Sequence, residues 1–401
     1  MMANRIYSTL KNCNFSVVFN TSKMNSNLFT IAAIPHKRNL YSKETLGIDA
    51  FLQQCQTTQN QMENLSEKFK EKMSEYVENH TKHMVFTEDL KNMIHLSNND
   101  KDLELVVKMI KKFNQQNKEL RFGSFIFGPV AMRLFHHFNA PDIALECFKS
   151  PDLSGFFDQL VSYQILLDLL YDNEKYQEII ECADIIKDRQ LEGIKHPRNI
   201  VVLVMAACYK MNSKESLDYA LRLWQELKEI GHYPLRRATT FCAGLALNQG
   251  NPGVALEVLT SAQNQNYTTV RNLKVACLAE VGRVENAIPI LKGVLSEDNP
   301  NPVKQTFNRE VLEKVKNAVL KIDNPDLALE FNRIEQTFQK LGHISDTALD
   351  QQLCQEIIRP AGITNRQDRF QPRYRRPKSE QRTYSNKRYT FHHRPGLNEL
   401  V

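Results

Sequence analysis

Along the middle of the chain, apolar side chains recur in steps of three and four, the spacing that lines one face of a helix. Leu103, Val106, Val107, Ile110 and Phe113 form one such stripe. The stripes come in pairs separated by short polar breaks. Read in order, they predict helices over 87–96 and 103–113, 127–138 and 143–148, 161–170 and 176–186, 199–209 and 216–230, 238–247 and 254–262, 270–281 and 284–295, and 309–320 and 327–341. Ahead of them, Leu65, Phe69, Met73, Tyr76 and Val77 predict one amphipathic helix within 43–84 that leads into the array. No stretch alternates at period two for long enough to suggest a sheet.

The second helices open on a recurring phrase. Asn251-Pro252-Gly253-Val254-Ala255-Leu256-Glu257 has near copies at Ala140-Pro141-Asp142-Ile143-Ala144-Leu145-Glu146 and Asn324-Pro325-Asp326-Leu327-Ala328-Leu329-Glu330. Proline is tolerated in a first helical turn, where its missing amide would have no partner, and Asn251 and Asn324 are placed to cap. Taking Val106, Ala144, Ile179, Ala220, Ala255, Ala287 and Ala328 as equivalent, the steps are 38, 35, 41, 35, 32 and 41 residues. A period of this size means stacked helical hairpins. The small marker lets paired helices approach, and Phe148, Trp224, Leu259 and Leu291, four residues on, are placed to fill the next groove. The expected fold is all-α: a right-handed α-solenoid of about seven degenerate helical hairpins, with disordered basic segments at both ends.

Charge divides the chain into the same parts. Residues 1–43 carry six basic side chains and no acid, and 359–394 carry eleven against two acids, which leaves the body mildly acidic within a net of +6. An acid-free basic start reads as a mitochondrial transit segment over 1–42, with cleavage between Arg38 and Ser42. The alternative is a basic arm that stays attached. Few aliphatics and high charge make 346–401 a basic, mostly disordered tail after an array at 85–345. The longest apolar run, Ile200 to Cys208, is far short of a membrane span.

Catalytic and metal chemistry find little support. The eight cysteines include no Cys-x-x-Cys, and Cys147 and Cys182 fall three residues after a marker, as core positions. Asp152, Asp158, Asp168 and Asp172 lie near one another in sequence, but Asp168 and Asp172 suit an exposed helix face and turn. His136-His137 and His392-His393 have no further ligands at metal spacing. The expectation is a non-enzymatic chain with no cofactor and no small-molecule substrate.

Repeats of about 35 residues that open Val161-Ser162-Tyr163-Gln164-Ile165-Leu166 and carry a Gly-x-x-x-x-Ala-Leu-like second helix resemble pentatricopeptide repeats. Tetratricopeptide repeats expect an early Trp, whereas Trp224 lies late in a second helix. Phe127-Gly128-Pro129, Ser154-Gly155-Phe156-Phe157, Cys208-Tyr209-Lys210 and Ala246-Leu247-Asn248-Gln249 extend the resemblance to a mitochondrial member of this family. It implies a matrix RNA-maturation factor on which respiratory chain function depends. The family's base-reading position falls here on Pro129, Gln164, Val202, Thr240 and Asn272, of which only Gln164, Thr240 and Asn272 hydrogen-bond through their side chains.

Arg121, Arg198, Arg236, Arg237, Arg271 and Lys274 recur near first-helix starts, where backbone amides also favour phosphate. In the tail, Arg373, Tyr374, Arg375, Arg376, Tyr384, Lys387, Arg388 and Tyr389 interleave cations with rings, a pattern that pairs phosphates and stacks unpaired bases. The expected partner is mitochondrial single-stranded RNA. The competing expectation is an adapter whose face binds RNA-processing or ribosomal proteins, with RNA contact indirect.

Overall fold

The computed structural model describes residues 40–78, 83–120, 125–296 and 305–358. Where the sequence predicts one leading helix, there are three: α1 (Lys43–Leu46), α2 (Ile48–Gln61) and α3 (Ser66–Glu78). Gly47 breaks the first pair because its backbone turns left-handed, at φ 71°. The turn at 62–65 makes the second break and leaves Leu65 exposed, while Met73 and Val77 stay buried.

Seven antiparallel pairs follow, where the stripes predict them. They are α4 (Thr87–Leu96) with α5 (Asp100–Leu120), α6 (Gly128–His137) with α7 (Pro141–Lys149), and α8 (Leu160–Asp172) with α9 (Tyr176–Arg189). Then come α10 (Arg198–Met211) with α11 (Lys214–Glu229), α12 (Arg236–Asn248) with α13 (Pro252–Thr260), and α14 (Thr268–Glu280) with α15 (Val284–Ser296). The last is α16 (Arg309–Ile322) with α17 (Pro325–Leu341). From α6 to α16, each first helix packs on the first helix of the next pair, so the chain is an all-α solenoid. Of the three leading helices, α2 packs against α4 and α6 and α3 against α4 and α5, covering that end, while α1 packs on α2 and α8.

The markers at Ala144, Ile179, Ala220, Ala255 and Ala287 have no exposed surface, and Ala328 in the last pair is half-buried. Phe148, Leu259 and Leu291 fill the interhelical grooves, whereas Trp224 keeps one side in solvent. Of the two expected asparagine caps, Asn324 accepts from the amides of Asp326 and Leu327; Asn251 makes no cap and donates instead to the Gln249 carbonyl at 3.3 Å. The described cysteines are all free thiols, and burial pushes Cys147 up to about 11 and Cys182 to about 12, as core thiols should behave.

His95 is buried beside Phe51, ring centroids 5.6 Å apart, and burial together with the Lys91 cation lowers its pKa from 6.5 to about 4. The folded chain therefore holds fewer protons than the unfolded chain between those values. Its contribution is complete above pH 6.5 and is lost as pH falls towards 4. Chemical denaturation at stepped pH should show stability falling across that window, and His95→Phe should flatten that part of the profile.

The chain does not end its folded course at α17. Gly342 turns left-handed, Ile344–Ser345 (β2) pairs in parallel with Phe307–Asn308 (β1), and a short helix, α18 (Leu349–Leu353), packs on α12 and α14. At 357 the backbone meets the start of the described chain: Ile357 N donates to Leu40 O at 2.8 Å, and Ser42 N donates to Ile357 O at 3.2 Å. Residues 40–42 and 346–358, which the sequence assigns to a transit segment and a disordered tail, are thus packed parts of the solenoid. Leu40 and Tyr41 are buried, and Leu349, Leu353 and Ile357 recur every fourth residue to pack on the array.

Candidate nucleic-acid interface

The face built from the first helices is where the expected reading positions fall, and the structure divides them. Gln164 is half-buried, and its Oε1 accepts from Asn199 Nδ2 of the next first helix at 2.9 Å, so both side chains lie within reach of solvent. Thr240 has 1 % of its surface exposed, and its hydroxyl donates to Arg237 O at 3.0 Å. Asn272 has none exposed. Its Nδ2 donates to Thr268 O at 2.9 Å and Thr306 O at 3.2 Å, and its Oδ1 accepts from Asn308 N at 2.9 Å. Asn272 holds β1 in place, and neither it nor Thr240 presents a free polar edge. Pro129 and Val202 have none to offer.

The cations divide likewise. Arg198 and Arg236 are the first residues of α10 and α12, and both are exposed. The Arg236 guanidinium lies 3.6 Å above the ring centre of Tyr267, itself 42 % exposed, which makes a cation and an open aromatic face one unit. Tyr233, 66 % exposed, lies in the loop that leads into α12. The sequence reading passed over both rings, although each precedes a first helix that starts on or near a basic residue. Lys274 is half-buried. Arg271 is buried and spent on Asn266 and Gln305, and Arg237 donates to Leu353 O at 2.6 Å. Arg121 lies outside the described residues, as do Arg373, Tyr374, Arg375, Arg376, Tyr384, Lys387, Arg388 and Tyr389.

A second cluster corrects the expectation that Asp168 and Asp172 face solvent. Both are buried on α8, with His136 Nε2 of α6 3.3 Å from Asp168 and 3.8 Å from Asp172. Burial raises the Asp168 carboxyl, against the pull of His136 and of the Tyr41 amide that donates to it at 3.2 Å. The arrangement fastens residues 40–42 to α8. Sequence distance hid it, because Tyr41 and Asp168 are 127 positions apart.

Stacked helix pairs whose first helices form one continuous row define a helical-repeat protein. No protein-family model matches the chain. It is 30% identical over 272 residues to pentatricopeptide repeat-containing protein 2, mitochondrial, of Homo sapiens, an overlap of 68% of this chain and 69% of that one. The Danio rerio protein of the same name is 28% identical over 322 residues, 79% of this chain and 81% of its own. This chain belongs to the pentatricopeptide repeat-containing protein 2 family. A crystal structure of the maize pentatricopeptide repeat protein PPR10 aligns with a TM-score of 0.35 and 16% identity, over 78% of this chain and 45% of that one. The chain therefore spans less than half of that protein.

Proposed function

We propose that this chain is a mitochondrial matrix protein that binds single-stranded RNA and so steers the maturation of mitochondrial transcripts, on which respiratory chain function depends. The observation that carries the reading is family membership across 272 residues, with relatives whose names place them in mitochondria. The acid-free basic start supports the compartment. The accessible Arg198, Arg236 with Tyr267, and Gln164 are the proposed contacts within the array, and the arginines and tyrosines of 373–389 those within the tail. Guanidinium groups neutralise phosphates and release counterions, and open rings stack on unpaired bases. Occupancy suffices: an RNA segment held along the array is shielded from nucleases or kept single-stranded, and no bond-making residue is needed.

The full chain should retain mitochondrial transcripts in a mobility-shift assay, with log affinity falling linearly as log salt rises. Absence of retention at low salt overturns the reading. Arg236→Glu should weaken retention roughly tenfold, about 1.4 kcal/mol of lost and reversed phosphate contact. Burial of Asn272 and Thr240 favours a second reading, in which the face takes protein segments and RNA contact is indirect. Crosslinking within organelles decides between them: RNA adducts on peptides that contain Gln164 or Arg236 exclude a purely adapter role.

A further inference from the structure

The first-helix face is already occupied by the chain itself. From Gly342 onward the backbone crosses it: Phe307 N donates to His343 O at 2.8 Å, Asn308 Nδ2 donates to Thr347 O at 2.8 Å, and Glu310 accepts from the Leu349 amide. Asp350 pairs with Lys210 of α10 at 3.1 Å, and Leu353 O takes the Arg237 guanidinium of α12. The Leu353 side chain, 1 % exposed, sits over Gly244, where an added Cβ would stand 3.1 Å from its Cδ1 and 3.0 Å from the Tyr209 ring. From the other side, Leu46 O accepts from Arg133 Nε of α6 at 2.9 Å and Tyr41 N donates to Asp168 of α8. The two segments meet at Leu40 and Ile357.

We propose that residues 343–358 are a resident strap which competes with RNA for the part of the first-helix face around Lys210, Arg237 and Gly244, so that full engagement of the face requires the strap to leave. The inference rests on the RNA reading and adds a regulation to it. Three observations carry it. First, the strap spends three cations, Lys210, Arg237 and Arg309, that a phosphate backbone would otherwise meet. Second, beyond the buried Leu353 and Cys354 and the half-buried Ile344, Leu349 and Ile357, it is held by the two-residue pairing with β1 and by solvent-facing ion pairs such as Lys210 with Asp350 and Arg309 with Asp346, which are individually weak and screened by salt. Third, the strap leads directly into Arg359, the first of the eleven basic residues of 359–394. RNA held by that tail is tethered beside the face at high effective concentration, and its arrival favours exchange with the strap. A strap closed in tenfold excess lowers apparent affinity by about tenfold, because only the open fraction is competent.

The test uses the full chain, fluorescently labelled poly(U) and a mixed-sequence single-stranded RNA. Leu353→Asp removes the anchor, and Ile357→Pro removes the amide that reaches Leu40; both leave the first helices and the tail intact. Each variant should bind RNA about tenfold more tightly than the parent, with a steeper salt dependence as Lys210 and Arg237 become available. In the parent, adding RNA should speed amide hydrogen exchange at Ser42, Phe307, Leu349 and Ile357 while slowing none of them. RNA binding that is equal or weaker in the variants, with those amides as protected as before, overturns the strap and leaves RNA binding standing. No binding by parent or variants overturns both. Should a variant lose helicity by circular dichroism, exchange in the parent decides alone.

Discussion

Asn272→Ala should lower folding stability by roughly 2–5 kcal/mol, the cost of leaving buried backbone groups without partners. The side chain has no exposed surface and serves three backbone groups, Thr268 O, Thr306 O and Asn308 N, of which the last two belong to a segment more than thirty positions away. Alanine leaves the Asn308 amide, in a residue with no exposure, facing an apolar gap. The urea midpoint should fall with an unchanged slope, which marks lost stability and not a changed ensemble. Gln164→Ala is the matched control. Its side chain is half-buried and bonded only to exposed Asn199, so stability should move by no more than about 0.5 kcal/mol. If Asn272→Ala instead kept its midpoint and lost RNA affinity, the residue would be a reader and not a brace.

Gly128→Val should be the most damaging single change at the start of α6. A Cβ at Gly128 would overlap Gln159 Oε1 and lie 2.8 Å from both Ser162 Oγ and Phe156 O. The two side chains can swing away, but the Phe156 carbonyl is backbone and moves only with its loop. Overpacking of this kind costs about 1–3 kcal/mol, and alanine should cost less than valine. Gly253→Ala tests the opposite case. That helical glycine has nothing within 4 Å of an added Cβ, so alanine should stabilise by about 0.4–1 kcal/mol. Thermal melts of the three variants side by side would show both signs. The Gly128 constraint also gives a physical reason for the Phe127-Gly128-Pro129 run through which the sequence resembles its family.

What could be read from sequence was what local spacing dictates. Ala144, Ala220, Ala255 and Ala287 mark helix contacts made within one hairpin or between neighbours, and the period of apolar residues locates them. The positions of Arg198 and Arg236 followed from the same period. Misreadings arose where a distant part of the chain covers a first helix. Asn272 reads as a polar residue facing a partner until β1 is laid against it, and Asp168 reads as solvent-facing until Tyr41 arrives. The strap itself was illegible for the same reason. Leu349 and Leu353 bound a five-residue helix, too short for a periodic signal, with Ile357 beyond it, and Lys210 and Arg237, the partners of Asp350 and of the Leu353 carbonyl, lie more than a hundred positions upstream. Tyr267 and Tyr233 were missed because a lone exposed ring has no spacing to announce it.

The meeting of Leu40 with Ile357 changes how the molecule should come apart. An open row of hairpins touches only nearest neighbours and frays inward from either extremity. Here Thr45 Oγ1 also reaches Ile357 O, 312 positions away, so the extremities are buttoned to each other. Contacts of that span carry a large closure entropy, so the hairpins should zip up first and the button should fasten last. Clipping either extremity would then loosen both.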